Sequence, residues 1–198
     1  MKNRIFMGIA AIAMVAFLAS CGKAPQAKID AVNAAIDSAK VLQADVYVPA
    51  EFAAVQDSMK AIMTAVETQN SKLFKNFKNV EVKLDAALTA AQTAQTSAVA
   101  KKEEVKKEVE GLMASIKTVI DENKKLFARA PRGKEGAQVL EQMKTEMATI
   151  ETSVTDAQGM YDKGAYMDAN NKVKAAKETA DKINGELKDA MKKAGIRY

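Results

Sequence analysis

The chain has 198 residues, with 30 basic and 25 acidic side chains, no histidine, no tryptophan and a single cysteine. It therefore lacks the side chains that commonly bind zinc, copper, haem or iron–sulfur clusters, and it lacks the commonest general base. A Gly-x-Ser-x-Gly elbow is absent, and residues 133–136 do not have the spacing of a phosphate-binding loop. We predict a protein without enzymatic activity, bound metal or other non-covalent cofactor.

The first residues predict a secretory leader. Lys2 and Arg4 precede an apolar stretch from Ile5 to Leu18, which is too short for a lasting membrane span and ends in small residues. We predict that residues 1–20 are a signal peptide that is cleaved. The remaining chain is only weakly basic, and neither that charge nor export favours nucleic acid as a partner.

The leader ends in Leu18-Ala19-Ser20-Cys21. This pattern resembles the lipobox of bacterial lipoproteins, which implies that a signal peptidase recognises the first three residues and that Cys21 carries a diacylglyceryl group. Two acyl chains are enough for stable anchoring. Many such lipoproteins are retained at the inner membrane by an aspartate where this chain has Gly22, so the resemblance implies the outer membrane, facing the periplasm. The alternative is a cysteine that stands near the cleavage site by chance.

Residues 21–26 form a predicted tether, and residues 27–198 are predicted to be helical, because they are rich in alanine and show no alternating strand pattern. A first helix is predicted from Ala27 to Ala44, followed by a break from Asp45 to Pro49. Proline suits the first position of the next helix. That helix carries an apolar stripe of Phe52, Val55, Met59, Ile62 and Val66.

The longest stretch without proline follows a polar turn near residues 69–71. It extends from Lys72 to Ala128 and is interrupted only by Gly111. An unbroken helix of that length would span about 85 Å. Its predicted seam consists of Phe77, Val80, Leu84, Ala87, Ala91, Ala94, Ala98, Val105, Val109, Leu112, Ile116 and Ile120.

Two more helices are predicted after a break at residues 129–133, with a turn between them at residues 162–164. Their apolar residues are three and four positions apart, as in a coiled coil. The methionines on the seams, Met59, Met63, Met143 and Met147, are predicted to fill the core. The two seams are Leu140, Met143, Met147, Ile150, Val154, Ala157 and Tyr161, and then Tyr166, Ala169, Val173, Ala176, Ala180, Ile183, Leu187 and Ala190.

Two parts of the chain look alike. Met59, Met63, Val66 and Glu67 match Met143, Met147, Ile150 and Glu151, and Asn79, Lys83, Leu84 and Ala87 match Asp168, Lys172, Val173 and Ala176. We predict an all-α fold, an elongated antiparallel helical bundle or coiled coil of about five helices, in which two helical-hairpin repeats, 27–100 and 101–194, share a long central helix. The alternative is that heptad patterns alone produce the match.

The lipobox, the short tether, the helix that starts at Pro49 and the turn Gly164–Ala169 together resemble bacterial lipoproteins that carry an uncharacterised helical-hairpin domain. The turn is also similar to the Gly-x-Tyr-x-x-Ala sequence of tetratricopeptide-type hairpins. The lipoprotein resemblance implies an architecture and no particular activity.

Residues 86–100 contain no charged side chain. Two interpretations are open: close packing inside the bundle, or an exposed and weakly polar surface that docks another helix or the glycan of the cell wall. The charged segment Lys101–Glu110 next to it is interpreted as a solvated helix face. The candidate partner surface consists of Ala86, Leu88, Thr89, Gln92, Thr93, Gln95 and Thr96.

The predicted function is that of a non-enzymatic lipoprotein of the bacterial cell envelope, anchored through Cys21. It would act as a helical scaffold, spacer or adaptor for envelope proteins or peptidoglycan. The alternative is a lipid-anchored binding module that holds a small or apolar ligand between its helices. The oligomeric state stays open.

Overall fold

The structure is a computed structural model that describes residues 23–131 and 134–197. The predicted leader and Cys21 lie outside the described residues. Within those ranges all regular secondary structure is helical, which confirms the predicted all-α helical bundle. The helices are α1 (Gln26–Val41), α2 (Ala44–Tyr47), α3 (Pro49–Asn70), α4 (Lys78–Arg129), α5 (Lys134–Asp162) and α6 (Tyr166–Lys193).

Helix α4 is the axis of the molecule. It has 52 residues, so it spans about 78 Å. Helices α1 and α3 pack against its first half, and α5 and α6 pack against its second half. The molecule is therefore elongated, because the two pairs of shorter helices cover successive parts of one long helix instead of surrounding the same part.

Helices α1 and α3 have opposite directions along α4. Lys28 Nζ lies 2.7 Å from a carboxylate oxygen of Asp85, and the Gln95 side chain donates a 2.8 Å hydrogen bond to the Ala35 carbonyl further along, so α1 is parallel to α4. Helix α3 is antiparallel, because its end shares a core cluster with the start of α4. The chain's first described residues, the end of α3 and the start of α4 thus lie at one end, which we call the base.

Helices α5 and α6 repeat this arrangement on the second half of α4. An ion pair of 2.7 Å joins Lys124 to Glu151, and Tyr161 bonds Glu110, so α5 is antiparallel to α4. Helix α6 is parallel to α4, with one ion pair of 2.7 Å near its start (Lys174–Glu108) and one of 2.8 Å near its end (Lys188–Glu122). The start of α5 and the end of α6 lie at the far end of the molecule.

The result is two three-helix units in tandem. The N-terminal unit consists of α1, α3 and the first half of α4, and the C-terminal unit consists of the second half of α4, α5 and α6. Several sequence-matched residues are buried alike, such as Met59 with Met143 and Leu84 with Val173. Met63 is an exception: its side chain is exposed, so the prediction that it fills the core is wrong.

Two helix boundaries differ from the prediction for local reasons. Helix α1 stops at Val41 because Gln43 takes a left-handed conformation with φ 61°, and the predicted break after it contains the helical turn α2. Helix α4 starts at Lys78 and not at Lys72, after an exposed loop. Phe77, predicted as part of the long helix, is the buried residue that ends this loop.

The turn between α5 and α6 is where the sequence predicted it. Gly164 has φ 78°, a conformation that glycine adopts without steric cost. Its N–H donates to the Tyr161 carbonyl at 2.9 Å, and the Ala165 N–H donates to the Met160 carbonyl at 3.0 Å. These two bonds form a Schellman motif, which ends α5 and starts the antiparallel return.

Two polar residues, Asn123 and Asn170, are buried in the C-terminal unit, and the seam pattern predicted neither. Asn123 is fully buried, donates to the Ala180 carbonyl at 2.8 Å and accepts a 2.8 Å hydrogen bond from Asn184. The large majority of buried amides in proteins have such partners. Asn123 therefore favours one register of α4 against α6, because a shifted helix would leave the amide unpaired.

Gly111→Ala is expected to stabilise the protein. Helix α4 continues through Gly111, and apart from the adjoining backbone of α4 itself a Cβ atom there would meet nothing within 4 Å. Alanine in a helix interior is favoured over glycine by about 1 kcal/mol, so we expect a gain of that size in the free energy of unfolding. Urea unfolding followed by circular dichroism measures it. Gly164→Ala is the control, and it should destabilise because of its positive φ.

Candidate functional site: the uncharged face of the long helix

The charge-free segment 86–100 forms part of α4 in the N-terminal unit, and one side of it is core. Four alanines are buried there: Ala87, Ala91, Ala94 and Ala98. Small side chains let α1 and α3 approach α4 closely. The first of the two sequence interpretations, close packing, therefore holds for this side of the segment.

Two of the predicted surface residues belong to the interface with α1. Leu88 is half-buried and packs against the cluster that contains Ala35 and Val55. Gln95 is also half-buried, and its side-chain amide donates to the Ala35 carbonyl. Neither side chain is placed to contact a partner freely.

The other predicted residues are exposed: Ala86, Thr89, Gln92, Thr93 and Thr96. Most of them fall on a stripe with heptad spacing, in which neighbours are four and three positions apart. Each stripe residue follows a core residue by two positions, a rotation of about 200° around a helix of 3.6 residues per turn. The stripe is thus on the side opposite the core, and we call it the outer stripe: Val82, Ala86, Thr89, Thr93, Thr96 and Ala100.

The threonines of the outer stripe present a weakly polar surface. Each hydroxyl donates to a backbone carbonyl one turn earlier: Thr89 to Asp85 at 3.0 Å, Thr93 to Thr89 at 2.9 Å and Thr96 to Gln92 at 3.1 Å. Because each hydroxyl has only one hydrogen to donate, what remains for a partner is the methyl group and the two acceptor lone pairs of the oxygen. Such a surface suits close packing better than strong polar binding.

The outer stripe ends where the charges begin. The next positions with the same spacing are Glu103 and Lys107, both exposed. Part of this charged segment is a solvated face, as interpreted from the sequence, but Glu108 forms an ion pair of 2.7 Å with Lys174 of α6. The hydrogen bond from Lys174 lowers the pKa of Glu108 below its ordinary value. The uncharged part of α4's outer face is therefore confined to the N-terminal unit.

A cluster of aromatic rings and lysines joins the two units, and the sequence patterns did not reveal it. Tyr47 of α2 is buried against Val105 and Val109, next to the α5–α6 turn. Lys102 Nζ lies 5.8 Å from the centroid of the Tyr47 ring and 5.9 Å from that of Tyr166. It also donates a 2.7 Å hydrogen bond to Gln43. These contacts are cation–π and polar contacts that fix the junction.

Tyr161 at this junction gives a prediction for alkaline pH. Its pKa is raised from 10.0 to about 12, first because its hydroxyl donates a hydrogen bond to the Glu110 carboxylate and second because of burial. The folded state thus favours the protonated hydroxyl, so the stabilising contribution is complete below pH 10 and is lost as the pH rises through about 12. Tyrosinate absorbance measures the titration.

The control for that titration is Glu110→Gln, which removes the charge and keeps an acceptor. In this variant the pKa of Tyr161 should lie closer to its ordinary value, and Tyr161→Phe should remove the titration step near pH 12. Tyr47 also has a raised pKa, because of its burial, and it serves as an internal reference. A Tyr161 titration that is unchanged in Glu110→Gln would contradict the assigned cause.

Other features bear on the alternative of ligand binding. A groove between α4 and α5 is lined by Met113, Ile120 and Val154, and the ion pair between Lys124 and Glu151 bridges it at 2.7 Å. In the described ranges no helix is both long and apolar enough to cross a membrane. Nor do the described residues contain a group of three or more acidic, cysteine or histidine side chains arranged to hold a metal ion.

Comparisons of the chain with protein-family models, with curated proteins and with solved structures found no match. The function is therefore inferred from the geometry of α4. This long helix has two heptad stripes, one packed inside the bundle and one exposed.

Proposed function

We propose that this protein is a non-enzymatic lipoprotein of the bacterial cell envelope that acts as a scaffold or adaptor. A lipid on Cys21 anchors it in the outer membrane facing the periplasm, and the helical rod presents the outer stripe to another helical envelope protein. The observation that carries the proposal is the outer stripe itself, an exposed and uncharged heptad stripe on a helix whose other side is fully packed.

The spacing of the stripe supports a helical partner. Side chains that alternate three and four positions apart form the seam along which two helices pack in a coiled coil. The residues are small or have short side chains, so a second helix can approach the backbone of α4 closely. A flat glycan strand would gain less from this surface, because the threonine donors are already used within the helix.

The length of the rod supports a role in spacing. Helix α4 continues without a break through both units, from the base at Lys78 to the far end at Arg129. With the lipid at the base, the far end would stand about 78 Å along the helix axis. A rod of this kind holds a bound partner at a set place relative to the membrane.

The test is photo-crosslinking in living cells from Thr93, at the centre of the outer stripe. We expect one recurring envelope protein among the products, identified by mass spectrometry. Lys107 is the matched control, because it lies on the same face of α4 at the same heptad spacing but in the charged segment. It should give no such product.

Thr93→Lys should abolish the crosslink made from Thr89 or Thr96. Thr93 is exposed, so a lysine there leaves the core intact and places a charge within the proposed interface. The free energy of unfolding of the variant, measured by thermal unfolding, should agree with that of the protein without the substitution within about 0.5 kcal/mol. The adaptor function would be contradicted if Thr93 and Lys107 gave the same crosslinked products. It would also be contradicted if no position of the outer stripe gave an intermolecular crosslink.

A further inference from the structure

The loop between α3 and α4 exposes two large apolar side chains at its tip. Leu73 is 98% exposed and Phe74 is 92% exposed. Single exposed apolar residues are common on protein surfaces, but an adjacent leucine and phenylalanine with almost no contact to the rest of the protein are not explained by folding. The neighbouring Phe77 is buried, so the loop is held to the core on one side only.

The charges around this tip are all positive. Lys72 and Lys75 flank the two apolar residues, Lys78 follows, and segment 71–78 contains no acidic residue. In the part of the chain that the structure describes, none of these three lysines forms an ion pair. Apolar tips between lysines suit the boundary of a bilayer, where rings enter the acyl region and ammonium groups meet phosphate.

The loop lies at the base, close to the first described residues. Ala24 and Phe77 pack against the same core cluster, and Lys28 of α1 bonds Asp85 of α4 two turns after the loop. Cys21 precedes Lys23 by two residues, which span at most about 7 Å. A lipid on Cys21 would therefore hold the loop close to the membrane surface.

We propose that the α3–α4 loop is a second membrane contact, in which Leu73 and Phe74 enter the bilayer beside the lipid anchor. The inference rests on the proposed lipidation of Cys21. One attachment point lets a rod swing about its tether, whereas two points at the same end restrict that motion. The loop thus directs the rod away from the membrane and sets the height of the outer stripe.

The test places a fluorescent reporter in the loop of the lipidated full-length protein. The chain has no tryptophan, so Phe74→Trp gives a single reporter. The protein is bound to phosphatidylethanolamine vesicles that contain phosphatidylglycerol, with bromine on the acyl chains as quencher. The control, Val139→Trp, is in α5 near the far end and is 50% exposed. We expect several-fold stronger quenching for Phe74→Trp, and weaker quenching when Lys72→Glu and Lys75→Glu are added.

The possible outcomes distinguish a failure of the loop inference from a failure of the lipid anchor. If the protein floats with the vesicles but both reporters are quenched equally, the loop inference is overturned and the anchor stands. A shift of emission to shorter wavelength without quenching by bromine would show that the loop packs on another copy of the chain, which also overturns it. If the lipid-processed protein does not float at all, both the anchor and the loop inference fail.

Discussion

The Cys21→Ser variant is expected to lose the proposed acyl chains and, with them, the proposed anchoring in the outer membrane. In lipoproteins a thioether links diacylglycerol to a cysteine, and a serine hydroxyl cannot form that bond. Each acyl methylene buried in the bilayer contributes about 0.8 kcal/mol, and two chains together make anchoring stable. Removal of both chains is therefore a change of many orders of magnitude in membrane affinity, the largest effect that we expect from a single substitution in this chain.

Cell fractionation and the mass of the N-terminal peptide measure this prediction. The variant should appear either as a soluble chain or as an uncleaved precursor in the inner membrane, and in both cases without an acyl mass. Ser20→Ala is the matched control, because alanine keeps a small residue before the cleavage site, and it should stay acylated and anchored. If the N-terminal peptide of the protein without any substitution carries no acyl mass, the lipoprotein assignment is refuted.

Leu187→Ala is expected to lower the free energy of unfolding by about 2–5 kcal/mol. Leu187 of α6 is fully buried in the core of the C-terminal unit. Truncation removes its apolar contacts and leaves a cavity, because the neighbouring helices relax only partly. Helix α6 has the most extensive contact with α4, so a loss there weakens the packing that defines the C-terminal unit.

Urea unfolding followed by circular dichroism measures the loss. Leu73→Ala is the matched control, since the same leucine-to-alanine change at a fully exposed position should alter stability by less than about 0.5 kcal/mol. Leu84→Ala makes the equivalent truncation in the N-terminal unit, where Leu84 is also fully buried. If Leu187→Ala lowered the free energy of unfolding as little as Leu73→Ala, Leu187 would not be packed in the core of the C-terminal unit.

The proposed membrane contact and the proposed partner surface both belong to the N-terminal unit, and its geometry connects them. The base carries the α3–α4 loop and is next to the residues that precede α1, and the outer stripe begins within two turns of the same loop, at Val82. A membrane contact at the loop would therefore place the stripe close to the bilayer. A partner helix would pack on α4 near the membrane surface and extend toward the junction with the C-terminal unit.

Much of the fold could be predicted from the sequence, because apolar spacing depends only on local order along the chain. The seam residues Val80, Leu84 and Val109 on α4 and Ile183 and Leu187 on α6 are buried as predicted. The glycine turn at Gly164 was also predictable, since a positive φ and a Schellman motif require little more than the right residue at a helix end. These features follow from helix periodicity and backbone sterics.

Other features depended on which elements meet. The packed alanine seam of α4 was predictable, but the position of α1 decides which candidate surface residues stay open: Leu88 and Gln95 are half-buried against α1, and the outer stripe is exposed. Burial of Tyr47 required the α5–α6 turn to arrive beside α2. The exposure of Leu73 and Phe74 could not be predicted either, because apolar residues near a helix start are usually core. Periodicity along one chain determines the helices, but the faces left open depend on long-range packing.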